Sequence, residues 1–177
     1  MERVPTRLEG PVLFAPRRFG DARGFFAETY RAEWLPSEAF VQDNHSRSRR
    51  GTVRGMHFQT APGQGKLVRC ARGAIFDVVV DLRRRSPTFG RWEGFALDDD
   101  ELRVLWVPVG FAHGFCVTAE QADVTYKVTS YYDPATEAGF RYDDPAVGID
   151  WPAGDLLASG RDRTAPALAD IAATLPW

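Results

Sequence analysis

The sequence has 177 residues, a length typical of one domain, so we expect a single domain over residues 1–177. Its composition, 44% hydrophobic and 26% charged, is ordinary for a globular protein, and a formal net charge of -2 gives no electrostatic reason to expect nucleic-acid binding. The N-terminus carries charge and proline where a signal peptide is apolar, and no run reaches the roughly eighteen apolar residues of a membrane span, so we expect a cytoplasmic protein without a membrane partner.

Short strand-like segments separated by turns dominate the chain. A helix is predicted first, at about residues 31–40. Segments rich in Val, Ile, Phe and Tyr then predict strands at Leu67–Cys70, Ala74–Asp81, Arg103–Pro108, Gly114–Thr118 and Asp123–Thr129. A tail helix is predicted over Ala165–Leu175, where Thr164 can cap the N-terminus and Pro166 suits the first turn. Many short strands at close spacing indicate an all-β fold, an antiparallel barrel or sandwich with the short helices on its outside.

The run Arg54-Gly-Met-His57-Phe-Gln59 contains one of only three histidines in the chain. Histidine has an unperturbed pKa close to neutrality, so His57 is a candidate for proton transfer. Lys66, shortly after it, is one of only two lysines, whereas arginine supplies the remaining positive charge. Without further motifs, His57 would be interpreted as a structural histidine and Lys66 as a surface lysine in a loop.

A second motif gives this run its context. The segment Pro108-Val-Gly-Phe-Ala-His113 has the PxGxxH form of the second cupin motif, a corner that directs its histidine into the mouth of a barrel. A metal-binding cupin also needs HxH and a glutamate in its first motif, but this chain has His57-Phe-Gln59 followed by Lys66. Two histidines, an amide and a cation are poor ligands for a divalent metal. We therefore expect a cupin-type antiparallel β-barrel (jelly roll) with no metal or cofactor and with acid/base chemistry.

Strand alternation predicts which side chains enter the barrel. In the segment Asp123–Thr129, Tyr126 shares a face with two valines and is therefore predicted to point inward. Asp77 likewise shares an apolar face of its strand, and a buried carboxylate needs a cation or histidine partner, for which Lys66 and His113 are the candidates. A histidine base, a tyrosine acid and a lysine suit removal of a proton beside a carbonyl and its return from the opposite face. That reaction is an epimerisation.

Ordered sequence blocks cover nearly the whole chain and carry a family resemblance. The blocks are Asp21–Glu28, Gln42–Ser46, Arg54–Gln59, Lys66–Val68, Asp77–Asp81, Ser86–Gly90, Val107–Phe115, Tyr126–Lys127 and Tyr131–Tyr132. Together they resemble the dTDP-4-dehydrorhamnose 3,5-epimerases. The resemblance implies a metal-free cupin homodimer that needs no cofactor. It also implies inversion of C3 and C5 of dTDP-4-keto-6-deoxyglucose, on the way to dTDP-L-rhamnose or related deoxysugars.

The same resemblance implies catalytic roles for four residues. His57 corresponds to the base, Tyr126 to the acid and Lys66 to the group that stabilises the enolate. Asp162 corresponds to the dyad partner of the base, because Ser159-Gly-Arg-Asp162 resembles the C-terminal block of the family. A carboxylate on the far ring nitrogen would orient the imidazole. The alternative interpretation of Asp162 is a helix-capping residue beside Thr164.

A larger group of residues is expected to bind the nucleotide sugar. Tyr132 would stack on the thymine, the arginines would hold the diphosphate by bidentate hydrogen bonds, and Arg23 and Glu28 would reach the site of the neighbouring subunit. The family often has lysine where this chain has Arg161, which changes the donor but keeps the positive charge. The full set is Arg23, Glu28, Gln42, Asn44, Arg54, Gln59, Asp77, His113, Tyr132, Glu137 and Arg161.

Three other functions are weighed against the double epimerase. A mono-epimerase that inverts only C3 or C5 in an antibiotic deoxysugar pathway would share every residue named above. A non-catalytic nucleotide-sugar-binding cupin would be expected to lose the base or the acid, and His57, Lys66 and Tyr126 are all present. A metal-dependent cupin oxygenase would need the missing HxH.

Overall fold

The computed structural model describes residues 1–152 and 154–177 and is built mainly of strands. Helices are few: α1 (Gly160–Thr164), α2 (Leu168–Ile171) and 3-10 turns at Ala32–Trp34 and Ala172–Thr174. In the described residues, no helix is long and apolar enough to cross a membrane. The strands are β1 Glu2–Val4, β2 Val12–Ala15, β3 Arg18–Asp21, β4 Gly24–Ala27, β5 Gln42–Arg49, β6 Thr52–Gln59, β7 Lys66–Arg72, β8 Ala74–Asp81, β9 Trp92–Asp98, β10 Val104–Val107, β11 Phe111–Val117, β12 Gln121–Val128, β13 Glu137–Gly139 and β14 Leu157–Ala158.

Two antiparallel sheets pack face to face. The first has the strand order β1-β2-β10-β7-β12-β5, and the second has the order β13-β6-β11-β8-β9, with the short β14 added in parallel to β6. Apart from β1-β2 and β8-β9, neighbouring strands in each sheet are not consecutive in the chain, as in a jelly roll. The predicted all-β, cupin-type antiparallel fold with short peripheral helices is confirmed. All five predicted strands are present: Ala74–Asp81 has the predicted ends, and the other four have shifted ends.

Alternating side chains of the two sheets form the core between them. Val68 and Val124 of the first sheet meet Val79 and Phe115 of the second, and Tyr126 packs against this cluster as the strand alternation predicted. Burying an aliphatic or aromatic side chain contributes about 1.5–3 kcal/mol.

The C-terminal segment covers the outer face of the second sheet. Met56 and Phe58 on β6 pack there against Phe140, Leu168 and Leu175. These apolar contacts hold the segment that contains α1 against β6.

The two predicted helices are wrong in extent, and proline is the reason in both cases. The tail is broken at Ala165, which has an extended conformation (φ -61°, ψ 150°) because the ring of Pro166 disfavours the helical region for the residue before it. In the same way, Leu35 precedes Pro36 and ends the turn Ala32–Trp34 after three residues.

Candidate active site

Two adjoining cavities, lined by residues of both sheets, form one cleft. The larger has a volume of about 410 Å³ and the smaller about 250 Å³. Both are lined by His57, Lys66 and Tyr126, so the three residues lie where the cavities join. A total of this size suits a small-molecule ligand.

His57 and Asp162 form a close pair in this cleft. His57 Nε2 lies 2.6 Å from Asp162 Oδ1, although the residues are 105 positions apart in the chain. Burial raises the pKa of the Asp162 carboxyl, but the hydrogen bond to His57 and further donors outweigh burial and leave the pKa below its usual value. The carboxylate is therefore ionised near neutral pH and accepts a hydrogen bond from His57 Nε2–H. The other ring nitrogen, Nδ1, then carries the lone pair.

Local sequence explains how this pair is positioned. Gly55, two residues before His57, has φ 138°, and a Cβ built there would lie 2.6 Å from the Cα of Gly114 on β11. Only glycine therefore lets β6 run this close to its neighbour. On the other side, Ser159 caps α1 by accepting the amide of Asp162 at 3.1 Å, and β14 pairs with β6 just before it. Thr164, predicted as the cap of a tail helix over Ala165–Leu175, is instead the last residue of α1.

Lys66 begins β7 and is buried, with 9% of its surface exposed. Its Nζ donates to the carbonyl oxygen of His57 at 3.4 Å. Burial lowers the pKa of Lys66 to about 8, against the opposing influence of the Glu137 and Asp77 carboxylates. The side chain is thus an ammonium group at neutral pH that deprotonates under mildly alkaline conditions.

His113 and Asp77 form a second histidine–carboxylate pair. His113 Nε2 lies 2.9 and 3.0 Å from the two carboxylate oxygens of Asp77, which confirms His113 as the predicted partner of this buried acid. His113 lines the larger cavity, whereas Asp77 is fully buried beneath it. Asp77 is therefore positioned to orient His113 rather than to contact a ligand.

Tyr126 faces His57 from the opposite wall of the cleft. Tyr126 belongs to β12 in the first sheet, and His57 belongs to β6 in the second. Burial is the largest cause that raises the pKa of the Tyr126 phenol, so the hydroxyl stays protonated at neutral pH. The structure therefore places a proton donor and a proton acceptor on opposed walls of one cavity.

The remaining predicted binding residues divide between the two cavities. Arg54, His113 and Arg161 line the larger one. Those lining the smaller one are Gln42, Asn44, Gln59, Tyr132 and Glu137. Glu137 lies between the two, accepting the Tyr132 hydroxyl at 2.8 Å and Arg161 Nη1 at 2.5 Å.

Arg23 and Glu28 are not brought to this cleft within one chain. Arg23 lies in the β3–β4 hairpin and pairs with Asp21 at 2.6 Å. Glu28 follows the hairpin and pairs with Arg31 at 3.2 Å. Neither residue lines either cavity of the cleft.

Two serines of the site were not singled out by sequence reasoning. Ser46 lines the larger cavity, and its hydroxyl is the buried side-chain polar atom without a hydrogen-bond partner among the described residues. Ser46 has the same strand parity as Gln42 and Asn44 in β5, and that alternation is the signal that could have identified it. Ser159, the cap of α1, is recognisable only once Asp162 is known to begin a helix.

The histidines are arranged as carboxylate pairs. His57 and His113 lie opposite each other in register on β6 and β11, and each directs Nε2 to its own aspartate. Within the part of the chain that the structure describes, no group of three or more His, Cys, Asp or Glu side chains is arranged to hold a metal ion.

A larger groove of about 1020 Å³ lies elsewhere, between β9 and α2. Its described lining includes Arg7, Trp92 and Leu168 but no histidine, lysine, tyrosine or carboxylate. Size alone therefore does not identify the reactive site, and the titratable groups of the smaller cleft do.

Comparison with known proteins identifies the family of the chain. The family model described as dTDP-4-dehydrorhamnose 3,5-epimerase matches residues 5–170. A Pseudomonas aeruginosa protein of that name is 50% identical over 173 residues, which cover 93% of this chain and 96% of the relative. A Neisseria gonorrhoeae protein of the same name is 49% identical over 156 residues, 86% of this chain, but the chain spans only 48% of that relative.

Solved structures give the same result in three dimensions. The dTDP-6-deoxy-D-glucose-3,5-epimerase of Legionella pneumophila, in complex with dTDP-4-keto-L-rhamnose, has a TM-score of 0.94 and 43% identity, covering 98% of this chain and 96% of its own. A 3'-monoepimerase from Streptomyces bikiniensis, in complex with dTDP-quinovose, has a TM-score of 0.91 and 36% identity, covering 96% and 89%. Enzymes that invert one carbon and enzymes that invert two thus share this fold.

Proposed function

The chain belongs to the dTDP-4-dehydrorhamnose 3,5-epimerase family, and from this we propose that it inverts C3 and C5 of dTDP-4-keto-6-deoxyglucose in deoxysugar biosynthesis. The observation that supports the proposal most directly is the opposed placement of His57 and Tyr126 on facing sheets of one cleft. Inverting a carbon centre requires a proton to leave one face of the sugar and return to the other. A base and an acid on opposite walls meet that requirement.

In the proposed mechanism, His57 Nδ1 removes the proton from the carbon beside the C4 ketone. The Asp162 carboxylate holds Nε2–H at 2.6 Å and stabilises the imidazolium that forms. The electron pair of the broken C–H bond passes into an enolate, whose charge collects on the C4 oxygen. The acidity of the carbon depends on how well that charge is stabilised.

Lys66 is the residue proposed to stabilise the enolate, and Tyr126 the residue proposed to complete the inversion. The Lys66 ammonium is buried beside His57, where a positive charge acts on an oxyanion with little screening by water. The protonated Tyr126 hydroxyl then delivers a proton to the opposite face of the carbon. Before the second carbon reacts, His57 releases its proton to solvent and the Tyr126 phenolate takes up a proton from solvent.

The rest of the cleft suits a nucleoside diphosphate. Arg54 and Arg161 line the larger cavity and are proposed to bind the diphosphate. Tyr132 has more than half of its surface exposed beside the smaller cavity, and its ring is proposed to stack on the base. Arg161 is paired with Glu137, so a phosphate bound by Arg161 would compete with that carboxylate.

Incubation with dTDP-4-keto-6-deoxyglucose in deuterated water tests this function. We expect deuterium at both C3 and C5, because each proton removed by His57 is replaced from solvent-exchanged groups. Label at one carbon alone would establish the second candidate, a mono-epimerase, which the similarity to the Streptomyces bikiniensis enzyme supports. A dTDP sugar with a hydroxyl in place of the C4 ketone is the control and should gain no label. No label in the keto sugar would contradict both candidates.

We further propose that the protein is a homodimer in which the β3–β4 hairpin enters the neighbouring cleft. The hairpin exposes Phe19, Phe25 and Phe26 to 49%, 50% and 66%, which is unusual for three neighbouring aromatic side chains in a free surface. Its position outside the cleft of its own chain explains why Arg23, a proposed phosphate ligand, does not reach that cleft.

A purified heterodimer tests this exchange. One subunit carries Arg23→Ala, the other carries His57→Ala, and two affinity tags allow the mixed dimer to be isolated. If Arg23 acts on the neighbouring cleft, one cleft is fully wild type, so we expect about half of the wild-type activity. If Arg23 acts within its own subunit, both clefts are defective, and activity will not exceed half of that of the Arg23→Ala homodimer.

A further inference from the structure

The loop between β12 and β13, Ser130–Thr136, contains Tyr132 and leads into Glu137 at the smaller cavity. Its middle residues are exposed, including Tyr131 at 70% and Tyr132 at 53%. Apolar burial therefore contributes little to its position. The conformation of such a loop depends on the hydrogen bonds made by its backbone.

Gln59 is the centre of those hydrogen bonds. Its side chain is 3% exposed, and its Nε2 donates to the carbonyl of Tyr131 at 3.3 Å and to Thr136 Oγ1 at 3.4 Å. Its Oε1 accepts Gln64 Nε2 at 3.0 Å and the amide of Asp133 at 3.4 Å. A primary amide has two donor hydrogens and two acceptor lone pairs, so all of them are used within the protein.

Two other glutamines extend this network. Gln64 Nε2 also donates to the carbonyl of Ser130 at 2.9 Å. Gln42 Oε1 accepts the amide of Tyr132 at 3.0 Å, while its Nε2 donates to Asn44 Oδ1 at 2.9 Å. The backbone groups of the consecutive loop residues Ser130–Asp133 are thus hydrogen-bonded by glutamine side chains that line the smaller cavity.

We propose that Gln59 is a positioning residue that sets the conformation of the Ser130–Thr136 loop and thereby the affinity for the nucleotide half of the substrate. Its amide does not hydrogen-bond to the substrate in this proposal, because all its hydrogen-bonding groups are used within the protein. Gln59 lies on β6 two residues after His57, so the same strand that carries the proposed base also fixes the nucleotide-binding loop. The proposal rests on the function proposed above.

Gln59→Met tests the proposal, since methionine is of similar length but makes none of the four hydrogen bonds. We expect KM for the keto sugar and Kd for dTDP to rise about tenfold, because the loop samples conformations in which Tyr132 is displaced. The kcat should stay within about threefold, because the bonds of His57 to Asp162 and of Lys66 to His57 do not involve the Gln59 amide.

A double-mutant cycle with Tyr132→Ala separates this role from a general loss of structure. If Gln59 acts through Tyr132, Gln59→Met should weaken dTDP binding by less than about twofold once Tyr132 is alanine. The same tenfold loss in both backgrounds, or a fall in kcat at unchanged KM, would overturn the proposal. If Gln59→Met does not fold, Gln64→Met takes its place in the cycle, with a smaller loss and the same non-additivity expected. Binding of dTDP is measured by calorimetry, so absence of turnover in the wild-type protein would count against the proposed function and not against this inference.

Discussion

His57→Ala is expected to lower deuterium incorporation at both C3 and C5 by about 10²–10⁴-fold, the usual contribution of a general base. The structure gives the physical reason. Asp162 occupies Nε2, so Nδ1 is the ring nitrogen left to act as the base, and His57 lines the cleft. Within the described lining of the larger cavity, the second histidine, His113, has its Nε2 bound by Asp77. His113 has the same arrangement as His57, but it lies on the neighbouring strand β11 and its side chain is only 8% exposed, against 28% for His57, so it is poorly placed to remove the substrate proton in place of His57.

His45→Ala is the matched control for this variant. His45 is a histidine on the outward face of β5, close to Asp123 and outside the cleft. Its replacement should leave the exchange rate within about twofold, because a surface substitution away from the site has a small effect. Circular dichroism would verify that both variants are folded. Wild-type exchange in His57→Ala would remove His57 from the mechanism, and loss in both variants would mean that the effect is not specific to the cleft.

Strand alternation was the most reliable source of site prediction. Tyr126 was predicted to point inward from the two valines on its face, and Asp77 was predicted to be buried and paired, and both predictions are confirmed. Alternation is a local property of the chain, set by the geometry of the strand itself. The alternation of side chains therefore holds whichever neighbouring strands the segment pairs with in the folded protein.

Asp162 could not be derived in this way. It lies 105 residues after His57, and the pair forms because β14 adds to β6 and Ser159 then begins a helix. No local sequence pattern predicts that His57 and Asp162 come together, and only the resemblance to the family indicates it. The same limit applies to Arg23, whose distance from the cleft depends on how a hairpin is placed in an assembly.

Gln59 illustrates a different limit. It lies two residues after His57, and the resemblance to the family implies that it binds the nucleotide sugar. Its actual partners are backbone groups of a loop more than seventy residues away in the chain. A polar residue in a cleft can bind either the ligand or the protein, and only the count of its satisfied hydrogen bonds distinguishes the two.

Lys66→Met is the second variant with a large expected effect, a fall in exchange rate of about 10²–10³-fold, comparable to removing an oxyanion-stabilising donor. Methionine keeps the length and apolar stem of the side chain, so packing against the cleft wall is preserved while the charge is removed. The chain has one other lysine, and Lys127→Met is the matched control. Lys127 pairs with Asp43 at 2.6 Å and does not line either cavity of the cleft.

The pH profile gives Lys66 a signature that a packing defect would lack. Burial lowers its pKa to about 8, so the ammonium is present below that pH and is lost as the pH rises through it. In the wild-type protein, kcat/KM should therefore fall above about pH 8. Burial raises the pKa of Tyr126 above its usual value, and the pKa of Asp162 is lowered, so neither group titrates in this window. The fall in kcat/KM above about pH 8 should persist in Lys127→Met and disappear in Lys66→Met. If it persists in Lys66→Met, the charge that stabilises the enolate belongs to another group.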